Sequence, residues 1–246
     1  MEHYFALRSR QFEEGITNLD VCVGNLKVGL KENYSQLRKP YAEEKERLTG
    51  GNLALTPMQP KVDPTWRYHW LLGSEQNVKP IDFPHFSEII ESWGKQLYQT
   101  NFTVCEMVAV GLGLDFYRIT DTLKKGSHYI SPPGVDLSKS KPGDVITGFH
   151  RDFGLITSQA KTRFPGLMAW LLTGEKVDVN IPDGHLLIQS GKQLEWLTGG
   201  YLKAGFHEVI HTSAVEAQVK HNLRAGKSTW RVVPSLFSYV EGSHSL

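Results

Sequence analysis

The sequence predicts a mainly β protein with flanking helices, in which a double-stranded β-helix (jelly-roll) core follows an N-terminal helical region. Before Gly126, apolar residues recur every three or four positions, as on one face of a helix. After Gly126, short runs rich in β-branched and aromatic residues alternate with turn residues, which is typical of antiparallel strands. We expect residues 1–126 to form the helical region and residues 127–246 the jelly-roll core, packed as one structural unit.

The first segments of the N-terminal region are a helix and a short strand. A stripe of apolar residues predicts a helix over residues 12–37, which three glycines weaken. A loop rich in Gly and Pro follows, and it leads to a strand near residues 66–72. The stripe consists of Phe12, Ile16, Leu19, Val23, Leu26, Leu30, Tyr34 and Leu37.

A second and more regular helix is predicted over residues 86–108. Its apolar positions again follow helical spacing, and Gly111 and Gly113 provide the stop signal. Asp115 is predicted to cap a further short helix that reaches Leu123. The buried face of this short helix is expected to consist of Phe116, Ile119 and Leu123.

The second half contains seven runs that read as strands. They are separated by Pro, Gly, Asp and Asn, as expected for turns between short strands. A jelly roll or a related barrel closes such a set without leaving exposed sheet edges. The runs are SHYISPP, DVITGFHRDFGLIT, GLMAWLL, KVDVNIP, HLLIQSG, FHEVIHT and STWRVVPSLFSYV.

Length and composition indicate an ordinary globular protein. Of the 246 residues 40% are hydrophobic, and 27 Lys and Arg residues are balanced by 26 Asp and Glu residues. This balance argues against a nucleic-acid partner and against an anionic membrane. The cysteines, Cys22 and Cys105, lie far apart in predicted helices, and the N-terminus is charged where a secretory signal is apolar. We therefore expect a cytoplasmic protein without a disulfide framework.

Two histidines and one aspartate form a candidate metal site. His150 and Asp152 are two positions apart in a predicted strand, so both side chains project to one side while Arg151 points elsewhere. A third ligand must come from a distant strand, where His207 and His211 are equally good candidates by counting alone. Two imidazoles and one carboxylate are the ligand set of non-haem Fe(II) oxygenases. The combination favours a metal site over isolated surface or core histidines.

These segments resemble the Fe(II)/2-oxoglutarate-dependent oxygenase superfamily, in its isopenicillin N synthase-like branch. The resemblance covers roughly residues 66–239 and is strongest after Gly148. HRDFGLIT is similar to the family's HTDFGLIT, and FPGLMAWL resembles its substrate-side strand. The tract from IPDGHLLIQSG to YLKAGFHEVI resembles the stretch that ends in the distal His-Arg-Val. Phe149, Phe153, Met168 and Trp170 are candidates for the wall of the substrate pocket, although residues of this kind are more often plain core.

The resemblance implies a choice between the two late histidines. In the family, the glycine that matches Gly200 lies seven residues before the metal ligand, which corresponds to His207 (200 + 7 = 207). His150, Asp152 and His207 are then the catalytic iron ligands, and His211 either supports the ligands without touching the metal or is a bystander. The implied cofactors are Fe(II), 2-oxoglutarate as cosubstrate, and O₂.

The resemblance also implies a binding site for the cosubstrate. Arg231 takes the place of the family's arginine that clamps the far carboxylate, a role that suits a planar guanidinium. The family's nearby serine is replaced by Val233, so we expect Ser235 or Thr229 to supply its hydrogen bond. The family's Asn-x-Tyr-Pro segment reads HYISPP here, so Tyr129 or Ser131 is expected to contact the cosubstrate.

The implied activity is oxidation of a small organic molecule by hydroxylation, desaturation or cyclisation, with release of succinate and CO₂. Two alternatives are a 2-oxoglutarate-independent iron oxidase of the same fold and a catalytically silent metal-binding jelly roll.

Two departures from the family are expected. The N-terminal strand and helix that precede the first long helix are missing, and residues 215–228 form a polar surface excursion.

Overall fold

The computed structural model describes residues 4–8, 68–71, 77 and 85–242. The predicted helix over residues 12–37 lies outside these ranges. The helices are α1 (Phe86–Gly111), α2 (Thr120–Leu123), α3 (Lys192–Leu197) and α4 (Ser213–Arg224), with a 3₁₀ turn at Leu137–Lys139. The strands are β1 (Tyr4–Arg8), β2 (Tyr68–Leu71), β3 (Ser127–Ser131), β4 (Gly134–Asp136), β5 (Val145–His150), β6 (Ile156–Ala160), β7 (Leu167–Trp170), β8 (Lys176–Asp178), β9 (His185–Ser190), β10 (Phe206–Ile210), β11 (Trp230–Val232) and β12 (Ser235–Ser238).

Two antiparallel sheets form the core. The major sheet has the strand order β1-β9-β6-β12-β3-β2, the minor sheet has the order β5-β10-β7-β8, and β4 pairs with β11. Leu187 of the major sheet packs with Ile146, Leu167 and Val209 of the minor sheet in one apolar cluster. The two sheets therefore lie face to face, and the predicted jelly roll is confirmed.

Helix α1 covers the outer face of the major sheet. Ile90 and Leu97 lie seven residues, or two turns, apart and therefore share one face of the helix. They pack against Ile130 and Leu236 of the sheet. The helix ends where the sequence predicts, just before Gly113 with its φ of +66°. No helix in the described ranges is long and apolar enough to cross a membrane.

The segment after α1 differs from the predicted short helix. The side chain of Asp115 accepts a hydrogen bond from the backbone N–H of Tyr117 within a turn, and helix begins only at Thr120. Ile119 and Leu123 are buried as expected, but Phe116 is 43% exposed. The prediction for Phe116 was wrong because the turn ahead of α2 removes this residue from the helical face.

A strand lies near the start of the chain, although the departures from the oxygenase superfamily seen in the sequence predicted that the N-terminal strand is missing. β1 pairs antiparallel with β9 along its whole length and forms one edge of the major sheet. A five-residue edge strand has almost no periodic signal of its own, so its pairing depends on the exposed edge of β9. The boundary at residue 126 stays a prediction, although β1 and β2 from the first half both extend the major sheet.

The polar stretch 215–228 is not a surface excursion. Most of it belongs to α4, whose first turn is capped by the Thr212 side chain, which accepts a hydrogen bond from Val215 N at 3.3 Å. Val215 and Val219 are buried in the cluster between the two sheets. Their spacing of four places both on the inner face of an otherwise polar helix.

Candidate metal centre

The three predicted metal ligands meet where β5 and β10 run side by side. His150 ends β5 and pairs directly with His207 of β10. Asp152 lies two residues beyond β5, and its Oδ1 is 3.6 Å from His150 Nε2 and 3.7 Å from His207 Nε2. One ligand atom from each residue lies within 4.8 Å of the other two. This spacing suits three ligands at roughly 2.1 Å from one shared divalent ion.

Backbone carbonyls orient both imidazoles. His150 Nδ1 lies 2.7 Å from Gly148 O, and His207 Nδ1 lies 3.3 Å from Gly205 O. Because a carbonyl oxygen only accepts, each Nδ1 carries the proton and each Nε2 presents its lone pair toward Asp152. These orientations prepare both rings for metal binding.

The carboxylate of Asp152 has a free buried oxygen. Its Oδ2 and the nearby Thr157 Oγ1 both lack a hydrogen-bond partner among the described residues, although Thr157 is close enough to help lower the pKa of Asp152. An unsatisfied buried carboxylate oxygen is costly unless a cation compensates it. The donor set therefore fits a divalent metal.

The protonation states of the triad are set by burial and by mutual charge. Burial alone would raise the pKa of Asp152, but the neighbouring charges of His207 and His150 lower it to about 2. Burial and the charge of His150 lower the pKa of His207 to about 4. Burial also opposes the charge on His150, but Asp152 outweighs it and raises the pKa of His150. Asp152 is thus ionised and His207 is neutral at pH 7.

The loop that carries Asp152 is fastened to the first turn of α3. Lys192 N–H donates to Asp152 O at 2.9 Å, and Gln193 N–H donates to Gly154 O at 3.1 Å. Gly191 approaches so closely that a Cβ atom there would collide with Gly154 O. From the sequence, Asp152 was predicted to lie in the same strand as His150. The strand instead ends at His150, and these contacts with α3 set the position of Asp152.

His211 lies apart from the triad. β10 ends at Ile210, and its pairing with β5 contains register irregularities after His207, so the two histidines do not continue one strand face. His211 is fully buried, with Nδ1 2.7 Å from Ser140 Oγ and Nε2 3.2 Å from Glu216 Oε2. It ties α4 to the turn before β5.

Arg231 lines a cavity of about 260 Å³. The residue is 5% exposed, and its Nε has no hydrogen-bond partner within the described part of the chain. Burial lowers its pKa to about 10, which leaves it charged at pH 7. Gln159 of β6 and Leu167 of β7 line the same cavity. A buried guanidinium in this setting calls for an anionic ligand.

Strand register relates this cavity to the triad. Gln159 lies two residues beyond Thr157, so both project from the same face of β6. On the minor sheet, Leu167 lies two residues before Ala169, the direct partner of His207. On both strands the residue that lines the cavity is therefore two positions, or roughly 6.6 Å, from a residue next to the triad.

The two predicted cosubstrate contacts on β3 share the inner face of the major sheet. Ser131 lies opposite Ser235, which lies opposite Gln159 on its other side. Tyr129 projects from the same face, and its hydroxyl is 2.8 Å from the Tyr239 hydroxyl. A contact of Tyr129 or Ser131 with a cosubstrate stays a prediction.

The structure separates the two candidates for the family's missing serine. Val233 is buried, as an apolar residue should be. The Thr229 hydroxyl donates to Asp136 Oδ1 at 2.7 Å and is thereby occupied. Ser235 is buried on the inner face beside Gln159, which leaves it as the better candidate.

Three of the four expected pocket residues face away from the triad. Trp170 pairs with Phe206, and Met168 pairs with Glu208, so both lie on the face opposite His207. Phe149 stacks on Phe206 on that same side. Phe153, next to Asp152, is 51% exposed and stays near the site. Strand alternation explains this placement, because the neighbours of an inward-facing ligand project to the other side of the sheet.

The polar residues that line the inner face of the major sheet were not predicted from the sequence. Gln189 lies directly opposite Thr157, and its buried Oε1 has no partner among the described residues. Gln159 belongs to the same face. The sequence carries no clear signal for this face, because β6 (ITSQA) has three consecutive polar residues and β9 (HLLIQS) has its polar residues at its two ends, so neither strand alternates.

Comparison with solved structures supports the fold. The full-length Neurospora crassa protein crystallised with alpha-KG matches with a TM-score of 0.62 and 18% identity, over 90% of this chain and 66% of its own. Arabidopsis thaliana dioxygenase for auxin oxidation 1, in complex with 2-oxoglutarate, matches with a TM-score of 0.54 and 19% identity, over 65% of this chain and 54% of its own. JOX2, in complex with 2OG, Fe and JA, matches with a TM-score of 0.57 and 14% identity, over 89% and 67%.

No protein-family model and no curated protein matches the sequence. The chain spans 66% of the length of the Neurospora crassa protein and 54% of that of the Arabidopsis thaliana protein, and the matches leave the isopenicillin N synthase-like branch a prediction. The structural matches concern the backbone, since all three identities are below one fifth. The chain therefore has the fold of the 2-oxoglutarate- and Fe(II)-dependent oxygenases.

Proposed function

We propose that the protein is an Fe(II)- and 2-oxoglutarate-dependent oxygenase that acts on a small organic molecule. The observation that carries this proposal is the presence, inside one barrel, of the His-Asp-His triad together with the buried and incompletely hydrogen-bonded Arg231. A metal triad alone serves many reactions, and a buried arginine alone usually pairs with a protein carboxylate. A dicarboxylate that binds the metal at one end and the guanidinium at the other accounts for both.

His150, Asp152 and His207 are the proposed ligands of the iron. Two neutral imidazoles and one carboxylate leave part of the coordination sphere open, as this chemistry requires. When bound, the iron supplies the O₂ chemistry that amino-acid side chains lack. The chain contributes an ionised Asp152 and a neutral His207 at pH 7, because their pKa values are about 2 and about 4.

Arg231 is the proposed anchor for the far carboxylate of 2-oxoglutarate. The distance of roughly 6.6 Å between the residues next to the triad and those that line the cavity suits a five-carbon dicarboxylate. A guanidinium grips a carboxylate through two parallel hydrogen bonds, and low exposure strengthens them. Ser235, Ser131 and Gln159 form a polar row on the same inner face and are proposed to orient that carboxylate.

The substrate is proposed to approach from the side of His150. The side chain of His150 is 36% exposed, whereas those of Asp152 and His207 are 5% and 8% exposed. The exposed ring of Phe153 flanks this opening and offers an apolar contact. The Neurospora crassa protein was also crystallised with thymine. A similarly small organic molecule is proposed here, with hydroxylation, desaturation or cyclisation as the outcome.

The proposal can be tested by adding Fe(II) and 2-oxoglutarate to the protein without oxygen. A visible charge-transfer band is expected only when both bind at one site. Arg231→Met should abolish the band at moderate 2-oxoglutarate concentrations. Arg163→Met is the matched control, because Arg163 lines the same cavity but is exposed, and it should keep the band.

The same experiment separates the alternatives. Iron binding without a 2-oxoglutarate-dependent band would favour an oxidase that does not use the cosubstrate. Iron binding without the band and without O₂ consumption would favour a catalytically silent metal-binding jelly roll, and absence of iron binding would contradict the proposal. Release of succinate in step with O₂ consumption would support the full reaction.

A further inference from the structure

One carboxylate joins the two segments that carry the candidate metal ligands. Glu195 Oε2 lies 3.3 Å from Arg151 Nη1, and it accepts a hydrogen bond from Ala204 N–H at 2.8 Å. Arg151 stands between His150 and Asp152 in the chain. Ala204 immediately precedes Gly205, whose carbonyl orients the His207 ring. A single oxygen on α3 therefore contacts both ligand-bearing segments.

The ion pair between Arg151 and Glu195 is buried, and an aromatic ring packs against it. The side chains of Arg151 and Glu195 are 3% and 12% exposed, so solvent screens their attraction only weakly. The Arg151 guanidinium also lies over the Phe206 ring, with Cζ 3.9 Å from the centroid, and Phe206 is the residue before His207. Arg151 thus touches the second ligand segment directly as well as through Glu195.

Helix α3 is held in place independently of this pair. Its first turn donates backbone hydrogen bonds to Asp152 O and Gly154 O. Glu195 is therefore presented from a fixed platform, and its carboxylate sets the separation between the Arg151 segment and the Ala204 segment. Strand pairing fixes His207 opposite His150, whereas Arg151 and Ala204 lie outside β5 and β10, where no strand pairing sets their separation.

We propose that Glu195 and Arg151 are positioning residues that hold the His150–Asp152 segment and the His207 segment at the spacing required for metal binding. The inference rests on the proposed metal site. The pair does not touch the metal, and it acts by preorganising the three ligands. Residues that orient metal ligands in this way typically contribute about 10- to 100-fold in metal affinity.

If Arg151 acted through its charge alone, Arg151→Met would have the opposite effect on metal affinity. Arg151 is a positive charge next to a cation site, so removing it should strengthen metal binding if charge alone matters. If the pair positions the ligands, Arg151→Met should weaken metal binding despite the lost repulsion. The sign of the change therefore distinguishes the two explanations.

The test is titration of Co(II) into metal-free protein at neutral pH, followed by visible absorption. Arg151→Met and Glu195→Gln should each bind Co(II) about 10- to 100-fold more weakly than the unaltered protein. At saturation their spectra should also change, because the ligand geometry differs. Arg151→Lys, which keeps the charge over Phe206, should recover part of the affinity.

Lys176→Met is the matched control. Lys176 also lies over an aromatic ring, that of Trp170, and also pairs with a buried carboxylate, that of Glu208, at 2.7 Å. It joins β8 to β10 and does not contact the His150–Asp152 segment. Its removal should leave Co(II) affinity and the saturated spectrum unchanged.

The outcomes separate this inference from the proposed function. If the unaltered protein does not bind Co(II), the metal site itself is wrong. If it binds, and Arg151→Met binds equally or more tightly, the positioning role is wrong even if the variant unfolds at lower temperature. Should Arg151→Met fail to fold, Arg151→Lys decides the question, because it keeps the charge: weaker Co(II) binding than in the unaltered protein supports the positioning role, and equal binding refutes it.

Discussion

His150 and His207 are direct cross-strand partners, and their ring centroids lie 4.2 Å apart. Two imidazoles this close would repel each other if both were protonated. Asp152 compensates, since its Oδ1 is nearly equidistant from both Nε2 atoms. The two imidazoles and Asp152 therefore tolerate one positive charge between them. A divalent ion bound at the same place would supply that charge more effectively than a proton.

The ligand assignment predicts different results for the two late histidines. His207→Ala should abolish binding of Fe(II), because it removes one of three ligands. His211→Ala should retain binding, since His211 contacts Ser140 and Glu216 instead. Isothermal titration calorimetry without oxygen measures both affinities. The reverse result would assign the third ligand to His211.

Arg231 should stabilise the complex with 2-oxoglutarate but lower the free energy of unfolding of the ligand-free protein. Its pKa of about 10 reflects burial of a charge, and replacing a buried charge with an apolar side chain of similar length is often stabilising by about 1–4 kcal/mol. We expect Arg231→Met to raise the free energy of unfolding of the ligand-free protein. Urea denaturation measures this difference.

The same variant should lose affinity for 2-oxoglutarate by roughly 2–5 kcal/mol, or about 30- to several-thousand-fold. Equilibrium dialysis in the presence of Fe(II) measures that loss. Unchanged cosubstrate affinity would refute the clamp. A marked loss of stability in the ligand-free protein would instead mean that Arg231 has a structural partner.

Gly191 should not tolerate a side chain. A Cβ atom at this position would collide with Gly154 O, although the backbone at φ −105° is open to any residue. We expect Gly191→Ala to lower the free energy of unfolding by about 1–3 kcal/mol and to weaken metal binding by displacing the Asp152 loop. Gly242→Ala, with no atom near its Cβ position, is the control for thermal unfolding and for Co(II) titration.

Because of His128, we expect the free energy of unfolding to fall on mild acidification. Burial lowers the pKa of His128 to about 4, and Leu123 O and Tyr239 N–H occupy its two ring nitrogens. The unfolded chain takes up the proton near pH 6.5, whereas the folded protein resists it until about pH 4. Stability therefore falls as the pH falls through this window, by about 2 kcal/mol between pH 7 and pH 5.

His128→Asn should remove that share of the pH dependence, because an amide does not titrate while its oxygen can still accept from Tyr239 N–H. Urea midpoints at pH 7 and pH 5 for both proteins measure the effect. The two proteins should differ less at pH 5 than at pH 7. An equal pH dependence in both would mean that other groups, such as His207, account for all of it.

Local patterns were sufficient for the longest elements. The apolar spacing over residues 86–108 predicted α1, and β-branched runs predicted most strands of both sheets. Such patterns are local because one face of each element must be apolar wherever it packs. Elements with weak patterns were missed or misjudged: β1 has only five residues, and α4 buries two valines in a polar segment.

The residue types of the candidate site were likewise visible in the sequence, whereas their arrangement was not. His150 and Asp152 were expected to share a strand, but α3 positions Asp152 after the strand has ended. The polar inner face formed by Thr157, Gln159 and Gln189 became evident only when β6 and β9 were paired.

The sequence by itself determined that this chain builds a β barrel with a helix on one face, and that it carries two imidazoles, a carboxylate and an apolar-flanked arginine. The tertiary structure decided which histidine faces the other ligands and that the buried Arg231 lines a cavity together with Gln159 of β6 and Leu167 of β7. It also decided that Glu195 joins the two ligand segments. The physical reason is that composition and periodicity follow from local burial, whereas strand register and the contacts of buried charges depend on residues far apart in the chain.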